Sequence, residues 1–145
     1  MSVRIFVTNK QRFLKIPLRT VRAVAKAALS EPSSSLSVVF LNNSEMVKMN
    51  RRYTGRETTT DVLAFPLGNS SEVSDEGSLL GEVLVNAQLA KERADGDEEK
   101  AVSEALLYLV HGILHLEGYD DHTAEARRTM WRKMRKILSR FGYYV

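Results

Sequence analysis

The chain has no cysteine among its 145 residues. This removes disulfide frameworks and thiolate zinc sites together, so any tightly held metal ion must be taken by imidazole and carboxylate. No apolar run approaches the roughly 18 uninterrupted residues that a membrane-spanning helix needs. The opening MSVRIFVTNKQR lacks the basic, apolar and small-residue order of a secretory signal, so a cytoplasmic protein with no membrane partner is expected. Charge of one sign is also scarce. The 21 basic and 18 acidic side chains leave +3, too little by itself to imply nucleic acid, and the distribution of charge matters more than the sum. With 43% hydrophobic and 27% charged residues, a chain of this length suits one domain, residues 1–145, with a true core.

Strand and helix signals alternate along the chain. VRIFV (3–7), LSVVFLN (36–42), TDVLAFP (60–66) and GEVLV (81–85) predict four strands, the third stopped by Pro66. PLRTVRAVAKAAL (17–29) predicts a helix with Val21, Val24, Ala25 and Ala28 on one face, ended by the serine-rich EPSSS. A second helix opens at Asn42, which stands in capping-box spacing with Glu45. LGNSSEVSDEGS (67–78) is polar, turn-rich and too poor in apolar residues to pack, which predicts a loop. The last third is helical: a short segment over 87–94, a longer one from Glu98 to about Glu117, and an amphipathic one over 123–141. In the last, Met130, Met134, Ile137, Leu138 and Phe141 lie on one side. The expected fold is a single α+β domain, with helices covering a small mixed four-stranded sheet. Its histidine-bearing helix is followed by a glycine turn and a C-terminal amphipathic helix.

All three histidines fall within HGILHLEGYDDH, residues 111–122. His111 and His115 are four apart near a helix end, and at about 100° per residue their side chains share one face, one turn apart. Such pairs are more commonly packing or surface residues than ligands. Here, however, Gly118 suits the left-handed position that ends a helix, and the reversed chain brings a third histidine and two aspartates. Two imidazoles with a third group from the turn leave a coordination position open, the mark of a catalytic rather than a structural metal site.

This stretch resembles the signature of the YbeY family of bacterial metal-dependent endoribonucleases, His-Gly-x-Leu-His-Leu-x-Gly-Tyr-Asp-His. NRRYTGRETTTDVLAFP (50–66) and LGEVLV (80–85) resemble two further family segments in the same order, so the likeness covers most of the chain. The resemblance implies a hydrolase with one Zn2+ per chain that cuts single-stranded RNA. It also implies a role in maturation of ribosomal RNA, notably the small-subunit 3′ end, and in ribosome quality control. The implied partners are precursor rRNA and the small subunit or its proteins, with no DNA expected.

The resemblance makes His111 and His115 metal ligands by direct match. The third ligand departs from the pattern, because Asp121 stands where the family has its last histidine and His122 follows. If the turn bulges by one residue, His122 still reaches the ion and Asp120 or Asp121 orients an imidazole; otherwise Asp121 itself ligates. His122 is the expected ligand, with Asp121 in a catalytic role. After Tyr53 the family arginine is replaced by Thr54, and Arg56 takes the place of a family lysine. Arg56, with Arg52 as a second candidate, is expected to stabilise charge on the phosphate in the transition state.

The residue after His111 is Gly112, where metal peptidases of the metzincin type carry a water-activating glutamate, which argues against peptide hydrolysis. Asp120, Asp121, a metal-bound hydroxide and the RNA 2′-hydroxyl remain open as the base. Seven basic residues and no acidic one lie between Arg127 and Arg140. The helix carrying them is either a solvated face or a track for phosphates, with Trp131 or Tyr143 available for base stacking. The alternative to an RNA hydrolase is a non-catalytic, zinc-bearing ribosome assembly factor.

Overall fold

Four segments rich in Val, Leu, Ile and Phe pair into one sheet in the computed structural model, which describes residues 4–30, 35–66 and 79–145. The strands are β1 (Ile5–Asn9), β2 (Ser35–Leu41), β3 (Val62–Pro66) and β4 (Leu79–Asn86), in spatial order β1-β2-β4-β3. β1 with β2 and β2 with β4 are parallel, and β3 lies antiparallel along the β4 edge. Pro66, which has no N–H to give a ladder, is tolerated at the end of that edge strand. The first strand lies at Ile5–Asn9 rather than 3–7. Val3, most of the serine-rich break and the expected loop over 67–78 lie outside the described residues.

Five helices stand among the described residues: α1 (Leu18–Ala28), α2 (Asn43–Thr54), α3 (Ala87–Arg93), α4 (Glu98–Leu116) and α5 (Ala124–Ser139). Four begin on a side chain that accepts a backbone N–H three residues on: Asn42 from Glu45, Asn86 from Leu89, Asp97 from Lys100 and Thr123 from Ala126. At α2 only this forward half of the capping box forms among the described residues, and the Glu45 carboxylate turns to Lys48 at 3.5 Å instead. Two glycines act as stops. Gly55 after α2 and Gly118 after α4 take φ of +80° and +98°, the left-handed region that a side chain disfavours.

Alternation along the strands divides the core in two. Leu36, Val38, Phe40, Val83 and Val85 face the buried sides of α1, α3, α4 and α5. Val39, Leu41 and Leu84 face the other way, onto Met46 of α2. α4 lies closest to the sheet. A Cβ added at Gly112 would stand 2.6 Å from Cγ1 of Val83 and 3.0 Å from Cγ2 of Val62, and one at Gly81 would stand 2.9 Å from Leu116. A fully buried amide sets the loop before β3. The Asn86 side chain donates to Asn43 Oδ1 (2.7 Å), Thr59 Oγ1 (2.9 Å) and Thr60 O (3.1 Å) while its oxygen caps α3. Asn50 holds the same loop further back, donating to Thr58 O at 2.8 Å.

Two substitutions test these contacts by urea unfolding. Helix propensity alone favours Gly112→Ala by about 1 kcal/mol. The clash with Val83 and Val62 reverses the sign, so the variant is expected to lose roughly 1–3 kcal/mol, and a stabilised variant would refute the close packing. Asn86→Ala removes a cap and takes a fully buried donor from three part-buried acceptors, with an expected loss of about 1–2 kcal/mol. An unchanged midpoint would show that water replaces the amide.

Candidate metal centre

The apolar residues of α4 that face the core include Leu109, Val110, Ile113 and Leu114. A second stripe runs beside them: Glu104, Tyr108, His111 and His115 are four, three and four residues apart, the spacing of one helical flank. His111 and His115 point their Nε2 atoms at each other at 2.9 Å, with ring centroids 4.6 Å apart. Past Leu116 the chain closes on itself. Gly118 N–H donates to His115 O (3.1 Å) and Tyr119 N–H to Leu114 O (3.0 Å), and the turn carries Asp121 back over the helix end.

Asp121 Oδ2 lies 3.9 Å from His111 Nε2 and 4.0 Å from His115 Nε2. These three are the side chains that form a group able to hold a metal ion among the described residues. Atoms at these separations share a point about 2.1 Å from each, the length of a zinc bond to imidazole nitrogen or carboxylate oxygen, so the donor set fits such an ion in both size and chemistry. The side chains of His111, His115 and Asp121 are 27%, 35% and 43% exposed, leaving one side of that point open to solvent. Burial, and then the neighbouring His115, push the His111 pKa below the usual imidazole value, while Asp61 and Asp121 pull in the opposite direction. Its ring therefore stays neutral, with a lone pair to give a cation, to lower pH than a free imidazole would.

His122, expected as the third ligand, lies outside this group. It is exposed, and its N–H donates to Asp120 Oδ1 at 3.1 Å just before Thr123 caps α5. The turn does not bulge to bring it in. The sixth residue after His115 is the one the turn brings to the pair, and that residue is Asp121.

Arg56 follows the left-handed Gly55 at the end of α2, is exposed, and makes no contact with the group among the described residues. Its backbone N–H donates to Thr54 Oγ1 at 3.3 Å. Arg52 rests against the Tyr53 ring instead. The guanidinium groups that share a cleft with His111 belong to Arg93, Arg127 and Arg128. The cleft, of about 590 Å³, lies between α4 and α5 and is lined also by Asp61, Tyr108, Asp121 and Trp131. Arg93 Nη1 stands 3.7 Å from Asp61 Oδ2 and donates to Tyr108 OH at 3.0 Å. Burial and the Glu104 carboxylate hold the Tyr108 hydroxyl far above its usual pKa, so it remains protonated. Gly112 faces Val83 and Val62, so a carboxylate at that position would be driven into the sheet, away from the ligand atoms.

The family model described as Endoribonuclease YbeY matches residues 6–142. The chain belongs to the YbeY family. It thereby joins a family of endoribonucleases. Curated YbeY relatives include the Endoribonuclease YbeY of Geobacillus kaustophilus, 37% identical over 83% of this chain and 83% of its own. That of Alkaliphilus metalliredigens is 30% identical over 95% and 94%. Among solved structures, the solution structure of TM1509 from Thermotoga maritima shares the fold, with a TM-score of 0.57 over 96% of this chain and 91% of its own, at 22% identity.

Of the YbeY-pattern residues, the structure unites His111, His115 and Asp121 and leaves Arg56 and His122 apart. Asp61, Arg93, Glu104 and Tyr108 were not singled out from sequence. Glu104 and Tyr108 had a signal, their place on the histidine flank of one helix. Asp61 and Arg93 had none, because hydrogen bonding through Asn86 is what brings loop and helix together.

Zinc binding by single-residue variants tests the third ligand. Asp121→Ala is expected to weaken binding by more than about tenfold, since loss of even an outer partner of a metal ligand costs that much, and His122→Ala much less. The reverse order would return the third position to His122.

Proposed function

We propose that this protein is a zinc-dependent endoribonuclease that hydrolyses phosphodiester bonds in single-stranded RNA. We propose that it acts in the cytoplasm on precursor ribosomal RNA, including the 3′ end of the small-subunit RNA, and in ribosome quality control. The small subunit or its proteins present the strand. The observation that carries the reading is the convergence of His111, His115 and Asp121 at an open helix end beside a cleft lined by guanidinium groups. Family membership supports RNA as the substrate.

When bound, such an ion lowers the pKa of a coordinated water to about 7 and polarises a phosphate oxygen. The chain's own residues do the remaining work. His111, His115 and Asp121 would hold the ion, at a place that their partial exposure leaves within reach of a strand. Arg127 donates to the Asp121 carbonyl at 3.1 Å, which ties the turn to α5 and sets a positive charge at the edge of the centre. Arg93, held by Asp61 and Tyr108, presents a second positive charge on the same cleft wall, where a phosphate gains most from it. Arg56, exposed at the end of α2, is a further phosphate contact outside the cleft. Peptide hydrolysis is disfavoured because the position that would carry the usual glutamate is packed against the sheet.

The test follows an end-labelled, single-stranded fragment of small-subunit rRNA precursor with wild-type protein, zinc-stripped protein and His115→Ala. Cleavage by the metal-loaded wild type alone is the expected result. Equal cleavage by all three would mean contamination, and a zinc-loaded protein that cuts nothing would leave a metal-bearing assembly factor. In the same assay Arg93→Ala is expected to slow cleavage by at least roughly tenfold. Arg56→Ala is expected to have the smaller effect; an unchanged rate for Arg93→Ala would remove that residue from the mechanism.

A further inference from the structure

The cleft that opens on His111 and Asp121 extends well past them, between α4 and α5, and its far part is not used by the metal centre. Its walls there are apolar, formed by Leu107, Met130 and Met134, and its rim carries Trp131. Trp131 is 41% exposed, a large aromatic surface left in water on a helix whose other large apolar residues are buried. Arg127 and Arg128 precede it by four and three residues, so the three side chains share one face of α5 and all line the cleft. None of the seven basic residues between Arg127 and Arg140 pairs with a carboxylate among the described residues. An uncovered indole flanked by two guanidinium groups with no acidic partner is complementary to a base on a phosphate backbone, since every base has a face to stack and every linkage a negative charge. The volume, about 590 Å³, lies within the range of pockets that enclose small organic groups.

We propose that the α4–α5 cleft is a nucleobase pocket: one unpaired base of the RNA strand stacks on Trp131, with Arg127 and Arg128 on the adjoining phosphates. The proposal rests on the RNA reading above and deepens it in two ways. A base must leave its helix to reach the indole, so the pocket itself selects single strands. The pocket and the metal group also share His111 and Asp121 as walls, so an anchored base fixes which linkage lies over the ligand atoms. Trp131 thereby sets the register of the cut without touching the reacting phosphate.

The chain has one tryptophan, so its emission reports on this residue alone. The probe is a short, dye-labelled, single-stranded 2′-O-methyl oligoribonucleotide, with an abasic strand of equal length as the comparison. Binding is read by dye anisotropy and stacking by quenching of Trp131. The oligonucleotide is expected to quench the indole over the same concentrations at which it binds, and the abasic strand to bind more weakly without quenching it. Trp131→Ala is expected to weaken binding on the order of tenfold, and Trp131→Phe, which keeps a ring, to restore most of it. The exposure of Trp131 means that truncation opens no void in the core.

Binding without quenching, equal quenching by the abasic strand, or full affinity in Trp131→Ala would each overturn the pocket. A protein that binds and quenches but cuts no RNA upholds the pocket and refutes the nuclease reading. One that cuts RNA without quenching does the opposite. Absence of binding by either strand overturns the pocket, and the cleavage assay alone then decides the nuclease reading.

Discussion

α4 lies so close to β3 and β4 that neither Gly112 nor Gly81 has room for a side chain, and most of the molecule follows from that contact. A helix held against a sheet by one face must carry its polar groups on the flanks. On α4 one flank is the row Glu104, Tyr108, His111 and His115, which stands at the rim of the core with Tyr108 buried and the other three partly exposed. α3 and α5 then pack around the same helix, and the space left between α4 and α5 becomes the cleft. The packing also limits the chemistry. With Gly112 pressed on Val83, no carboxylate can reach the ligand atoms from the position after the first histidine.

Polar groups do the finer positioning. Asn86 ends a central strand, starts α3 and holds the 59–60 loop, so one amide sets the place of Asp61 on the loop and of Arg93 at the far end of the helix. Their charges meet at the cleft wall and are joined through Tyr108 to Glu104. Burial and His115 lower the His111 pKa and so favour the neutral ring that can bind a cation, while Asp61 and Asp121 pull in the opposite direction. The centre is thus built from one local turn, Gly118 to Asp121, and one set of long-range hydrogen bonds. The local turn supplies the carboxylate of the group, and the long-range set supplies the charged wall beside it.

Most elements of the fold were legible in the chain, for local reasons. The hydrophobic period of 17–29 and of the segment after Glu98 placed α1 and α4, the capping spacing of Asn42 placed the start of α2, the amphipathic pattern after Thr123 placed α5, and Gly118 placed the end of α4. β1 moved by two residues at both ends, because Ile5–Asn9 trades apolar residues for Thr8 and Asn9 and offers no clear edge. β3 and β4 shifted by two residues at their starts, and α5 ended two residues early. The histidine pair was legible through its spacing. The third group was not, since a turn of six residues after His115 brings either Asp121 or His122 inward according to its backbone path, which spacing does not reveal. Arg56 and Arg93 show the same limit over longer range. Both are arginines at helix ends, and only the packing of α3 against α4 brings one of them to the cleft.

The sequence by itself determined the α+β class, the absence of any thiolate site, the histidine pair of the candidate metal group and the family, because these depend on composition, period and motif. The tertiary structure decided that Asp121 joins His111 and His115, that Gly112 belongs to the sheet contact, and that Trp131 stands over a cleft rather than within the core. Each of those facts concerns which of several neighbouring side chains faces a distant element. That choice is made when α4 settles on the sheet and α5 on α4, by excluded volume and buried hydrogen bonds between residues far apart in the chain.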